Sequence, residues 1–174
     1  MSDVDALNLA LLVLRCAIGS VMLAHGIRHI FGGGKFAGTG RWFESLGMKP
    51  GIVHAWVASL AEIGGGAMLV LGLVTPLAAS AVIGTMFVAF ITNHRGNGYF
   101  IFRPGEGWEY VITLVLVGFA VAVIGAGEWS LDHALDIDDD LIGVTGLVIA
   151  LVAGFGGAVA LLVGFWRPEP KTAD

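Results

Sequence analysis

The chain has 174 residues, of which 56% are hydrophobic and only 13% charged, with 27 glycines. That is the composition of a membrane protein whose helices pack through small residues, for which no nucleic-acid partner is expected; the net charge of −5 says little by itself, since the charges are segregated along the chain. The single cysteine, Cys16, excludes an intramolecular disulfide and a Cys-x-x-Cys redox pair.

Met1–Asn8 reads as a short acidic lead. Leu9–Phe31 follows, roughly 35 Å long as a helix and enough to cross a bilayer. It is too long for the apolar core of a signal peptide and has no basic segment before it, so it is expected to be retained. It nonetheless carries Arg15, His25, Arg28 and His29. A charge near mid-bilayer costs about 2.5–3.5 kcal/mol, so such side chains are expected to turn toward other helices or a wet cavity. At about 100° per residue, Arg15, Gly19, Met22, Gly26 and His29 share one stripe, with His25 beside it and Arg28 pointing elsewhere.

Gly32–Gly51 is rich in glycine and basic residues. Gly32-Gly33-Gly34-Lys35 lacks both the frame and the following Ser or Thr of a phosphate loop. Thr39–Leu46 reads as a short interfacial helix with Trp42, Phe43 and Leu46 on one side. The second span is Ile52–Val74, with Glu62 near its middle followed by Gly64-Gly65-Gly66. Thr75-Pro76 ends it, and the third span, Leu77–Asn93, returns as an antiparallel hairpin to His94 and Arg95. Tyr99-Phe100-Ile101-Phe102 is expected at the membrane interface or plugging a cleft. The fourth span is Trp108–Gly125, with Glu109 in its first turn. Gly127–Asp140 is an acidic, solvated loop without the spacing of a calcium loop. The fifth span, Leu141–Trp166, contains no charge. Gly146, Ala150, Gly154 and Ala158 recur in it every four residues, a face for packing onto the other helices or onto a second copy in a homo-oligomer. The tail Arg167–Asp174 is expected to be disordered.

Lys35, Arg41, Lys49, Arg95, Arg103, Arg167 and Lys171 all fall on one side of this topology. The positive-inside rule makes that side cytoplasmic, with the N-terminus outside and the C-terminus inside. His25, Arg28, His29, His94 and Glu109 then lie toward the cytoplasmic end, Glu62 deeper and Arg15 deeper still. They describe a candidate polar pocket opening to the cytoplasm. Such a pocket suits a quinone head, with His and Glu as hydrogen-bond and proton-exchange partners. It also leaves open a metal held by His25, His29, His94 and Glu109, a small transporter or permease using the Glu62 pocket, and a network that only staples the bundle.

At these residues the chain resembles the DoxX family of small bacterial membrane proteins. The resemblance rests on Arg15, Gly19 and His25-Gly26-Ile27-Arg28, then Phe43 with Ser45-Leu46-Gly47, then Glu62-Ile63-Gly64-Gly65 and Gly72-Leu73-Val74-Thr75. It continues through His94, Gly98-Tyr99-Phe100 and Glu109-Tyr110 to Gly125-Ala126-Gly127 and Ser130-Leu131-Asp132. It implies an all-α, polytopic membrane bundle in the bacterial inner membrane. A DoxX-like four-helix core over residues 9–132 would be followed by an additional transmembrane helix at 141–166 and a short cytoplasmic tail at 167–174. It also implies a redox setting: a membrane subunit or anchor for a quinone- or thiol-linked oxidoreductase, with a soluble or membrane enzyme as partner.

Overall fold

The computed structural model describes residues 1–169 and is entirely helical apart from one isolated bridge, Met48 with Trp166. Helix α1 spans Asp3–Phe31 and begins earlier than composition suggests. Ser2 accepts a hydrogen bond from Asp5 N while the Asp5 carboxylate accepts from Ser2 N, so the acidic lead is the first helical turn, its orphan amides satisfied. Helix α2 is Lys35–Ser45 and α3 is Gly51–Leu71. Gly72, in the left-handed region at φ 64°, ends α3. Helix α4 runs Thr75–His94, with Pro76 in its first turn and its last five residues, Phe90–His94, in π geometry. Helix α5 is Trp108–Ile124. Two four-residue turns, Leu131–Ala134 and Asp138–Leu141, interrupt the acidic loop. Helix α6 is Val144–Phe165, with a π stretch at Ala150–Gly156.

Among the described residues, four helices are long and apolar enough to cross a membrane: α1, α3, α4 and α6. Helix α5 is equally apolar but has 17 residues, so the five comparable spans read from the sequence resolve into four long helices and one shorter one. The assembly is an all-helical, multi-span membrane bundle.

Packing proceeds α1 on α3, α3 on α4 and α4 on α5, with α6 laid against α4 and α5. The α1–α3 contact is made by glycine. A Cβ on Gly19 would stand 2.6 Å from Gly66 O, and one on Gly66 would stand 2.7 Å from Gly19 O. The buried residues of α1 (Asn8, Leu11, Arg15, Ile18, Gly19, Met22, Gly26) follow the expected three-and-four spacing. The small face of α6 also packs inward: Gly146, Ala150, Gly154 and Ala158 are all buried, Gly146 against Ala122 and Gly154 against Ile83. It packs onto the chain's own α4 and α5.

One end of the bundle carries α2 and the loop after His94; we call it the basic end. The other, the turn end, carries Gly72–Thr75 and residues 125–143. At the basic end α6 is tied to the loop after α2. Lys49 N donates to Phe165 O, Arg167 N donates to Gly47 O, and the Trp166 indole donates to Leu46 O. Arg167 is thus fastened, and the rest of the expected disordered tail beyond Glu169 lies outside the described residues.

Candidate functional site

Glu62 stands near the middle of α3, roughly 16 Å along its axis from Gly51. Gly26 of α1 lies against it, for a Cβ there would meet Glu62 Cβ at 3.1 Å. The carboxylate is buried, with Oε2 3.2 Å from His29 Nδ1. The approach is off the direction of a hydrogen bond, and neither atom has another partner. Below them α2 presents its aromatic face: the rings of Phe43 and Trp42 lie 5.9 and 6.4 Å from that of His29. Helix α2 packs Phe43 against α3, where Gly40 and Gly51 let the two backbones meet, and leaves Lys35, Arg41, Trp42 and Glu44 exposed, as an amphipathic helix at the end of the bundle does. Glu62 itself is buried, with these aromatics beside its neighbour His29.

A cavity of about 790 Å³ surrounds this pair. His25, His29, Glu62 and His94 all line it, as expected. His54, in the first turn of α3, lines it too: it is buried, its Nε2 has no partner, and its ring meets Phe165 of α6 at 5.3 Å. It shares a face with Ala58, Ala61 and Gly65, which all line the same space. His94, at the end of the π stretch, has an unpartnered Nδ1, while its Nε2 lies 3.3 Å from Asn93 Nδ2.

Three expected members stand elsewhere. Arg28 is exposed. Glu109 accepts a hydrogen bond from Ile101 N at 2.8 Å and so braces the aromatic loop. Arg15 is fully buried at the turn end, where it donates to Leu69 O at 3.1 Å, to Val70 O at 3.4 Å and to Trp129 O at 2.7 Å. The first two carbonyls belong to the last turn of α3, the negative end of its dipole and a place where acceptors lack helical partners. Across the same turn, Asp132 accepts from Val74 N at 2.5 Å and Thr75 N at 2.9 Å, at the start of α4. Val74 is held at φ 43°, costly for a β-branched residue, and this grip fixes it there. Arg15 and Asp132 are structural clamps. Among the described residues, no three His, Cys, Asp or Glu side chains gather closely enough to hold a metal ion, so the His25–His29–His94–Glu109 set does not converge.

Buried charge on facing helices, glycine-mediated contact and four long apolar helices define a small polytopic membrane protein. The DoxX family model matches residues 10–95, from α1 to just past α4, and the chain belongs to that family as an integral membrane protein with several membrane-crossing helices. No curated protein and no solved structure matches the chain.

Proposed function

We propose that this DoxX-family protein is the inner-membrane subunit or anchor of a redox enzyme and that the Glu62–His29 site serves a quinone head. The observation that carries this reading is the buried Glu62 Oε2, which faces His29 without a satisfied hydrogen bond inside a cavity of mostly apolar lining. A quinone takes up two electrons and two protons per reduction; the partner enzyme supplies the electrons. Glu62 and His29 hold the head by hydrogen bonds and move protons to its oxygens, while Trp42 and Phe43 limit water from the basic side.

In this reading α5 also crosses, giving five spans, the fifth, α6, being additional to a four-helix core extended to Asp132. Seventeen apolar residues are about 26 Å of helix, close to the hydrocarbon thickness, and α5 joins the two ends of the bundle. The basic end faces the cytoplasm.

The test is Glu62→Gln, assayed for melting temperature in detergent and for quinone-coupled turnover in membranes containing the partner. The expected outcome is a folded protein with turnover lost. Normal turnover in a folded variant removes Glu62 as a required proton carrier.

A further inference from the structure

The cavity is long and graded in polarity. It reaches from His94 at the basic end of α4 to Leu77 at the turn end, 17 residues and about 26 Å of helix. Its ionisable lining residues, His25, His29, His54, Glu62, His94 and Tyr110, lie in the basic half and at mid-height. Toward the turn end the lining becomes Met68, Ala81, Gly84 and Ala153. The serine and threonine hydroxyls of α4 that line it are spent on backbone. Ser80 donates to Pro76 O, Thr85 to Ala81 O and Thr92 to Val88 O, so no free donor faces the slot from them.

The walls explain the shape. Helices α3 and α6 both pack on α4 and scarcely on each other away from the basic end, which leaves a slot with α4 as its floor. Its rims are exposed on the flank of the bundle: Val57, Leu60 and Gly64 on α3, Gly157 on α6. A Cβ on Gly64 or Gly157 would meet nothing within 4 Å. On a membrane-spanning bundle, that flank faces lipid.

We infer that the cavity holds a lipid-soluble molecule with one hydrogen-bonding head and one long apolar tail, the head at Glu62–His29 and the tail in the α3–α6 slot, which it enters sideways from the bilayer. Two unpartnered polar atoms more than nine-tenths buried, Glu62 Oε2 and His54 Nε2, face this one space and call for a ligand with a polar head. The apolar turn half calls for its tail. The inference rests on the quinone reading for the kind of head and goes beyond it in assigning tail, route and the role of α6.

The test uses the full chain in nanodiscs and two probes, a tail-less benzoquinone and the same head with an isoprenoid tail, their affinities read by quenching of tryptophan fluorescence. Wild type is expected to bind the tailed probe about tenfold or more tightly, roughly what two buried methylenes contribute. Gly64→Leu and Gly157→Leu each fill the slot from opposite walls; each is expected to erase that preference while keeping tail-less affinity and melting temperature. Variants that weaken both probes alike, or neither, overturn the slot. Equal binding of both probes by wild type overturns only the slot. Wild type that binds neither probe overturns the quinone reading with it.

Discussion

Arg15 and Asp132 grip opposite sides of one turn. Arg15 takes the last carbonyls of α3 and Asp132 the first amides of α4, with Gly72 and Val74, both at positive φ, between them. Each ion meets the helix end of opposite partial charge. Arg15→Met takes away the donor to Val70 O and Trp129 O and is expected to cost about 1–3 kcal/mol, read as a lower melting temperature in detergent. Asp132→Ala removes a helix-start acceptor and is expected to cost about 0.5–2 kcal/mol. Neither should change affinity for a tail-less quinone head. An Arg15→Met protein of wild-type stability that loses that affinity would return Arg15 to the ligand site.

The three consecutive glycines of α3 are expected to respond differently to alanine. At Gly66 the new Cβ would strike Gly19 O, and at Gly65 it would strike Ala81 Cβ at 2.7 Å. Both substitutions are expected to destabilise by about 1–3 kcal/mol. Gly64→Ala enters open space and should be neutral or stabilise by up to about 1 kcal/mol through helix propensity. Equal melting shifts at all three positions would contradict the α1–α3–α4 packing.

Gly154→Leu presses on Ile83, where even a Cβ would stand 3.0 Å from Ile83 Cγ2. The contact lies within one chain, so the expected result is a lower melting temperature at every protein concentration. Unchanged stability together with loss of an oligomer would place this face between copies instead.

Outside the membrane spans, His133 Nδ1 lies 2.8 Å from Asp138 Oδ2. The hydrogen bond His133 donates to Asp138 raises the imidazole above its ordinary range, and the same bond lowers the carboxyl. The pairing therefore stabilises fully below the ordinary histidine value and fades as pH rises through the raised one. It fades again as pH falls through the lowered carboxyl value. An NMR titration should find His133 above a free histidine and Asp138→Asn should bring it down; an unchanged midpoint in that variant refutes the pair.

The two sides of the proposed topology can be told apart by labelling single cysteines in a Cys16→Ser background. A cysteine at Asp139 is expected to react with an impermeant reagent from outside the cell and one at Lys35 only after permeabilisation. The reverse pattern inverts the orientation.

The polar stripe of α1 was legible because burying Arg15 leaves a periodic trace in the residues around it. Its partners were not, because Leu69, Val70 and Trp129 contribute main-chain carbonyls, and a carbonyl has no residue type to recognise. The small face of α6 was visible in its spacing, whereas the choice between the chain's own helices and a second copy needed coordinates. Helix α2 was legible as an amphipathic helix, but not its seat on α3: the meeting of Gly40 with Gly51 turns Phe43 inward and leaves Trp42 exposed. The π stretches at Phe90–His94 and Ala150–Gly156 carry no compositional mark, yet they decide where His94 and the α6 wall stand.

The tie between Met48 and Trp166 also sets an order of construction. Translation makes α6 after every other wall of the cavity, and its final turn must find a loop synthesised more than a hundred residues earlier. Until it does, the slot over α4 has one wall. A chain stopped before Val144 would leave it so, and completion of the last helix is the step that gives the slot its second wall while its flank stays open.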